Sequence, residues 1–185
     1  MKNKETFNGD YLTTETVLKL KDKYDINIVL ETGTYLGDTT EWFSENFNKV
    51  YTFEIDNGYR NVAKTKCGEN TEFLGNSIKE LPSILESINE RCLFFLDAHW
   101  GTPCPTPYEL EIISRYSKTK PIILIHDFYN PNFPNMQWDT YGDFAYKWEN
   151  IEKYIKQIYP NDDYDCFYND DRSKVGTIFI EPKNK

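Results

Sequence analysis

Two groups of residues in this 185-residue chain have the types and spacing that chemistry requires. The first is Glu31-Thr32-Gly33-Thr34-Tyr35-Leu36-Gly37-Asp38-Thr39-Thr40, where two glycines sit between an apolar run and a helix-compatible segment. Glycines at such a turn let the backbone pass close to a ligand, and the helix N-terminus behind them offers free amides. Glu54 ends the next apolar run 21 residues after Gly33. That is about the separation at which an acid meets ribose hydroxyls in nucleotide-binding sheets. The glycines read GxxxG rather than the GxGxxG of a pyrophosphate binder, so a tight diphosphate turn is less favoured, while an adenosine ligand without a diphosphate stays compatible. Ordinary glycines in a strand-to-helix turn, with Glu54 a solvated strand end, stand as the alternative.

The second group is Asp97, His99, His126 and Asp127, which collects both histidines of the chain with two carboxylates at the ends of two strongly apolar runs. Oxygen ligands with one or two imidazoles suit Mg²⁺, Mn²⁺ or another divalent ion. Such an ion would bind substrate oxygens and lower their pKa. A histidine here is alternatively a general base, because an unperturbed pKa of about 6.5 suits proton removal near neutrality. Hydrogen-bonded structural histidines are the plainer reading of the same residues.

Positioning these groups requires an alternation of strands and helices. INIVLE (26–31), KVYTFEID (49–56), TEFLG (71–75), CLFFLD (92–97) and PIILIHD (121–127) read as strands. The last two are nearly continuous apolar runs, as expected of central parallel strands covered on both faces. Helical spacing appears over 36–47, 58–66, 78–89, 106–117 and 144–159, and Ser77 with Glu80 forms a capping-box pattern. Residues 1–24 read as an N-terminal helical extension, and 164–170 with 174–182 as a closing hairpin. Between Asp127 and the last helix lies 128–142, with two prolines and five aromatics and no period, expected to be a long loop on the substrate side.

Five strand–helix units and a hairpin predict one doubly wound α/β domain over 1–185: a mostly parallel seven-stranded, Rossmann-like sheet with a C-terminal antiparallel hairpin. Ligands in such sheets bind beyond the carboxyl ends of the strands. Chemistry is therefore expected at 31–40, 54–56, 75–77, 97–102 and 126–142.

Composition narrows the partners. Twenty-one Lys plus Arg against 30 Asp plus Glu give a formal charge of −9, a poor match to nucleic acid. No window approaches the roughly 18–20 apolar residues of a membrane span, so no membrane partner is expected. No signal peptide is visible, and the four cysteines have no metal-ligand spacing. A cytoplasmic protein with reduced thiols is the expectation. Oligomeric state is left open.

ETGTYLGDTT, then VYTFEID, FLGNSIKELPSIL, FFLDAHW and IILIHDF, in this order, resemble the class I S-adenosylmethionine-dependent methyltransferases. More narrowly, the set resembles small-molecule O-methyltransferases of the catechol and caffeoyl-CoA type and their sugar-modifying relatives. The resemblance implies S-adenosylmethionine as cofactor, with Gly33 and Gly37 shaping the turn under its methionine portion. Glu31, Tyr35, Thr39 and Thr40 are then available to its amino and carboxylate groups, Glu54 to its ribose, and Asn76 and Ser77 to its adenine. Asp97 matches a metal-binding acid or a residue beside the reacting methyl, and Asp127 a second metal ligand. His99 or His126 would remove the acceptor's proton. The catechol-type lysine after the first acid is missing, since Trp100, Gly101 and Thr102 follow His99, and Phe128 follows Asp127 where that pattern has Asn or Asp. Magnesium or another divalent cation is thus an open expectation. The implied acceptor is a hydroxyl of a small metabolite, sugar or phenol. Trp138, Tyr141, Phe128 and Tyr129 are placed to stack on it or to cap the core, with Cys104 beside the cleft. A protein or RNA methyltransferase, and a non-catalytic partner subunit that binds the cofactor, are the other readings.

Overall fold

The computed structural model describes residues 6–98, 103–142 and 144–183. Strands β1 (Ile28–Thr32), β2 (Lys49–Phe53), β3 (Thr71–Leu74), β4 (Cys92–Leu96) and β5 (Ile122–Ile125) are parallel neighbours in the order β3-β2-β1-β4-β5. The small strands β6 (Thr140–Tyr141) and β7 (Phe144–Ala145) pair with each other, while β8 (Tyr164–Tyr168) and β9 (Ile178–Pro182) complete the main sheet. β9 lies antiparallel between β5 and β8, so the seven-stranded order ends β5-β9-β8. The expected mixed sheet is thereby found.

The helices are α1 (Tyr11–Tyr24), α2 (Asp38–Asn46), α3 (Asn57–Lys64), α4 (Ser77–Ser87), α5 (Thr106–Tyr116) and α6 (Trp148–Ile158). Alternation along β4 shows how the sheet divides them. Cys92, Phe94 and Leu96 join Leu85 of α4, Leu110 of α5 and Ile155 of α6 in one core layer. Leu93 and Phe95 point the other way, with Val17 of α1 and Phe43 of α2. A strand buried on both faces needs apolar residues at every position, which is why CLFFL and IILI carry no polar side chain. Among the described residues no helix is long and apolar enough to cross a membrane. Cys92, Cys104 and Cys166 are free thiols.

Three boundaries differ from the sequence reading. Among the described residues of the N-terminal extension the α-helix begins at Tyr11, and before it Phe7, Asn8 and Gly9 turn through φ of 49°, 56° and 81°. Left-handed backbone costs a non-glycine residue roughly 1–2 kcal/mol. Here the Phe7 ring, 2% exposed, meets Trp42, Phe43 and Phe95 edge-on at 5.5, 5.5 and 5.0 Å. Burying a Phe stabilises by about 1.5–3 kcal/mol, which offsets much of the cost of the turn. Helix α6 starts at Trp148 rather than at 144, because Phe144 and Ala145 pair with Tyr141 and Thr140. The cap of α4 is Asn76, not Ser77: its side chain accepts from the Lys79 amide, and Glu80 Oε1 accepts from the amides of Gly75 and Asn76. Asn76 has extended backbone while Ser77 is already helical, and a capping side chain must sit outside the helix.

Candidate active site

A cleft of about 430 Å³ opens at the carboxyl ends of β1, β2, β3 and β4, within the range of small-molecule sites. Gly33, Tyr35, Glu54, Ser77, Asp97 and Asp127 line it, as do Phe53, Ile55, Asp56, Tyr59, Gly75 and Ala98. Asn8 enters it from the N-terminal turn.

Gly33 sets the depth of this cleft. Its φ is +90°, and a Cβ there would lie 2.3 Å from the carbonyl oxygen of Asp97. Only a residue with no side chain lets the β1–α2 turn lie against the end of β4. Gly37 is the left-handed N-cap of α2, where a Cβ would meet Ala63 at 2.6 Å.

Glu54 is held from two sides. Its Oε2 accepts from the Tyr35 amide and its Oε1 from the Asp56 amide, both at 2.9 Å. A carboxylate has about four acceptor positions, so two fixed bonds orient it and leave capacity for two hydroxyls. Tyr35 itself adopts φ +48°, and its ring lies 4.7 Å from that of Tyr59 across the mouth.

Several singled-out residues lie behind the cleft lining. Glu31 is 1% exposed, and its Oε2 accepts from Thr40 Oγ1 at 2.5 Å and Thr52 Oγ1 at 2.7 Å. Among the described residues its Oε1 has no hydrogen-bond partner. Burial pushes this carboxyl up to about 8, outweighing the two hydroxyls that lower it. Glu31 and Thr40 thus form an internal brace beneath the turn. Thr39 Oγ1 accepts from the Phe7 amide at 3.0 Å, and Asn76 is occupied as a helix cap.

Glu109, which no motif in the sequence signals, lies under the cleft floor. Fully buried, it accepts from Ser77 Oγ at 2.6 Å and Thr32 Oγ1 at 3.3 Å. Burial raises its pKa to about 7 against those two bonds. It joins the end of β1, the start of α4 and α5 at one point.

Asp97, His126 and Asp127 converge as the strand-end placement requires; His99 lies outside the described residues. His126 Nδ1 is 3.2 Å from Asp97 Oδ1 and 3.3 Å from Asp127 Oδ1, ionic contacts without hydrogen-bond alignment. The ring is 2% exposed and does not line the cleft. Burial alone would lower its proton affinity, but the two carboxylates prevail and push it up to about 10. The imidazole is therefore cationic near neutrality, neutralising its neighbours. One ligand atom from each of the three residues can be chosen within 4.8 Å of the others. The donor set suits a hard divalent ion, whose binding would release the imidazole proton.

The aromatic segment after Asp127 does not line this cleft. Phe128 is buried, 6.4 Å from Tyr168. Tyr129 and Trp138 meet edge-on and share Lys147 Nζ at 4.8 and 4.7 Å. Tyr141 and Cys104 line a second hollow, of about 660 Å³, with Tyr108, Phe144 and Tyr154.

No protein-family model and no curated protein sequence matches this chain. Solved structures share its fold. The O-methyltransferase TomG from Streptomyces achromogenes, involved in tomaymycin synthesis and solved with S-adenosylmethionine, aligns at TM-score 0.65 and 12% identity, over 94% of this chain and 80% of its own. A Klebsiella pneumoniae protein assigned as an O-methyltransferase aligns at TM-score 0.63 and 16% identity, with the same coverages of 94% and 80%. An rRNA methylase from Streptococcus thermophilus aligns at TM-score 0.57 and 15% identity, over 92% of this chain and 95% of its own.

Proposed function

We propose that this chain, which has the fold of the class I S-adenosylmethionine-dependent methyltransferases, transfers a methyl group from S-adenosylmethionine to a hydroxyl of a small molecule. The observation that carries the reading is Glu54, fixed by two backbone amides at the edge of a cleft whose floor is the Gly33 turn. That arrangement suits a ribose diol, with Ile55 and Tyr59 offering apolar surface to an adenine. The cradle fits the cofactor in charge as well: Glu54, Asp56, Asp97 and Asp127 line the cleft against the single imidazolium of His126 behind it, a net negative field that favours a cation.

When bound, S-adenosylmethionine supplies an electrophilic methyl on a sulfonium. The protein's part is mainly positioning, since an acceptor oxygen must be held in line with that carbon. Asp97 is the group placed to take the acceptor's proton. It lines the cleft with its side chain 23% exposed, whereas His126 lies behind it. His126 acts on Asp97 and Asp127 by fixing their orientation and balancing their charge. If a divalent ion is used, Asp97, His126 and Asp127 would hold it, and it would polarise the acceptor oxygen. A small acceptor is favoured by the net charge of −9, which disfavours a polyanion.

Calorimetry with S-adenosylmethionine and S-adenosylhomocysteine tests the cofactor; no binding at millimolar concentration rejects the reading. Asp97→Asn is expected to keep binding while methyl transfer from labelled cofactor to a panel of phenols, sugars and other hydroxyl compounds falls by about 10²-fold or more, as for loss of a general base. Label appearing in added RNA or protein instead would replace the small-molecule acceptor. Unchanged turnover in Asp97→Asn would remove Asp97 from the chemistry.

A further inference from the structure

One wall of the cleft comes from outside the strand ends. Asn8 reaches the cleft from the left-handed turn of Phe7, Asn8 and Gly9, and that turn is anchored on both sides. Before Asn8, the Phe7 amide bonds Thr39 Oγ1 at the start of α2, and the Phe7 ring is buried against α2 and β4. After it, Asp10 Oδ1 caps α1 through the amides of Leu12 and Thr13. Asp10 Oδ2 accepts from Ser173 Oγ at 2.6 Å and Asn169 Nδ2 at 3.3 Å in the β8–β9 connection. The two anchors leave Asn8 itself exposed.

The Phe7 contacts put this turn on the α2–β4 side of the cleft that Asn8 lines. Ile55, Tyr59 and Gly75 come from the β2 and β3 side. A ligand whose ribose meets Glu54 and whose base lies toward Tyr59 extends its other end toward Asn8. In S-adenosylmethionine that end is an amino acid, carrying an ammonium and a carboxylate. For the carboxylate, no Lys or Arg lines the cleft among the described residues, and Ser77 Oγ is committed to Glu109. A carboxamide both donates and accepts, so it suits a zwitterion without adding charge.

We propose that Asn8 is a binding residue for the amino-acid end of the cofactor, and that Thr6–Gly9 forms a wall of the site. This rests on the methyltransferase reading above. Asparagine tolerates left-handed backbone better than most residues, which accounts for its presence at φ 56°.

The test compares S-adenosylhomocysteine with 5′-methylthioadenosine, which keeps the nucleoside and lacks the amino acid, by calorimetry on the full chain. Asn8→Gly removes the side chain and keeps the left-handed turn, so the thermal midpoint should hold. It is expected to bind S-adenosylhomocysteine about tenfold more weakly, as for one hydrogen bond to a charged group, and methylthioadenosine equally well. Asn8→Asp, which puts a negative charge opposite the carboxylate, should weaken S-adenosylhomocysteine further. Unchanged affinity for S-adenosylhomocysteine in Asn8→Gly overturns the assignment, and so does an equal loss for both ligands. If the unaltered protein binds neither ligand, the methyltransferase reading falls, and this assignment with it.

Discussion

Gly33 shows how single atoms decide the site. Gly33→Ala would place a Cβ 2.3 Å from the Asp97 carbonyl oxygen, a distance no relaxation of a side chain can relieve, because the obstacle is backbone. The φ of +90° adds strain of its own. The expected result is a loss of about 2–4 kcal/mol in urea unfolding, with cofactor affinity falling as the end of β4 shifts. A variant as stable as the parent would mean that the turn and β4 are less closely joined than described. Gly33 and Glu54 could be singled out from sequence because their separation reflects a repeating local unit, strand, turn, helix, strand. Asn8 could not. Its place in the cleft depends on Phe7 finding a nest among Trp42, Phe43 and Phe95, residues at least 35 positions away.

At the scale of elements, Glu109 ties three together. A carboxyl group on α5 that accepts hydroxyls from β1 and α4 holds the cleft floor in one arrangement. Glu109→Ala leaves Ser77 and Thr32 without that partner and is expected to cost about 2 kcal/mol or more, measured by urea unfolding. Glu109→Gln keeps an acceptor and the volume, and should cost less than half as much. Equal effects of the two would show that side-chain volume, rather than the hydrogen bonds, is what matters. The strands themselves were legible because continuous apolar runs leave few alternatives in a sheet covered on both faces. Boundaries were less so: α6 yields Phe144 and Ala145 to a small hairpin, and α4 takes its cap from Asn76. In both cases the apolar spacing reports which face is buried, while backbone pairing decides where the helix begins.

For the whole molecule, the buried acids set a pH dependence. Glu31 and Glu109 keep their protons in the folded state up to about 8 and about 7, from ordinary values of 4.5. Above the ordinary value the unfolded chain releases protons that the folded chain retains. Stability therefore falls as pH rises from 5, toward about 7 for Glu109 and toward about 8 for Glu31. His126, raised from 6.5 to about 10, stabilises below 6.5 and loses that contribution as pH climbs through 10. Between pH 5 and 6.5 the decline thus belongs to the two glutamates. Urea midpoints in that window should drop for the parent and stay nearly level for a Glu31→Gln, Glu109→Gln double variant. A parent whose midpoint rises over the window would contradict the protonated state of both acids.

The residue order alone determined the α/β rhythm, the strand ends at which chemistry could gather and the pairing of Gly33 with Glu54. All of these follow from short-range patterns of apolar, glycine and acidic residues. Tertiary structure decided which of those residues line the cleft. Glu31 and Thr40 look toward each other behind the turn, His126 lies beneath two carboxylates, and Phe128 is core rather than cover. The physical reason is that burial and long-range contact fix where a side chain ends and whether it holds a proton, and neither property is encoded within a few residues of the position itself.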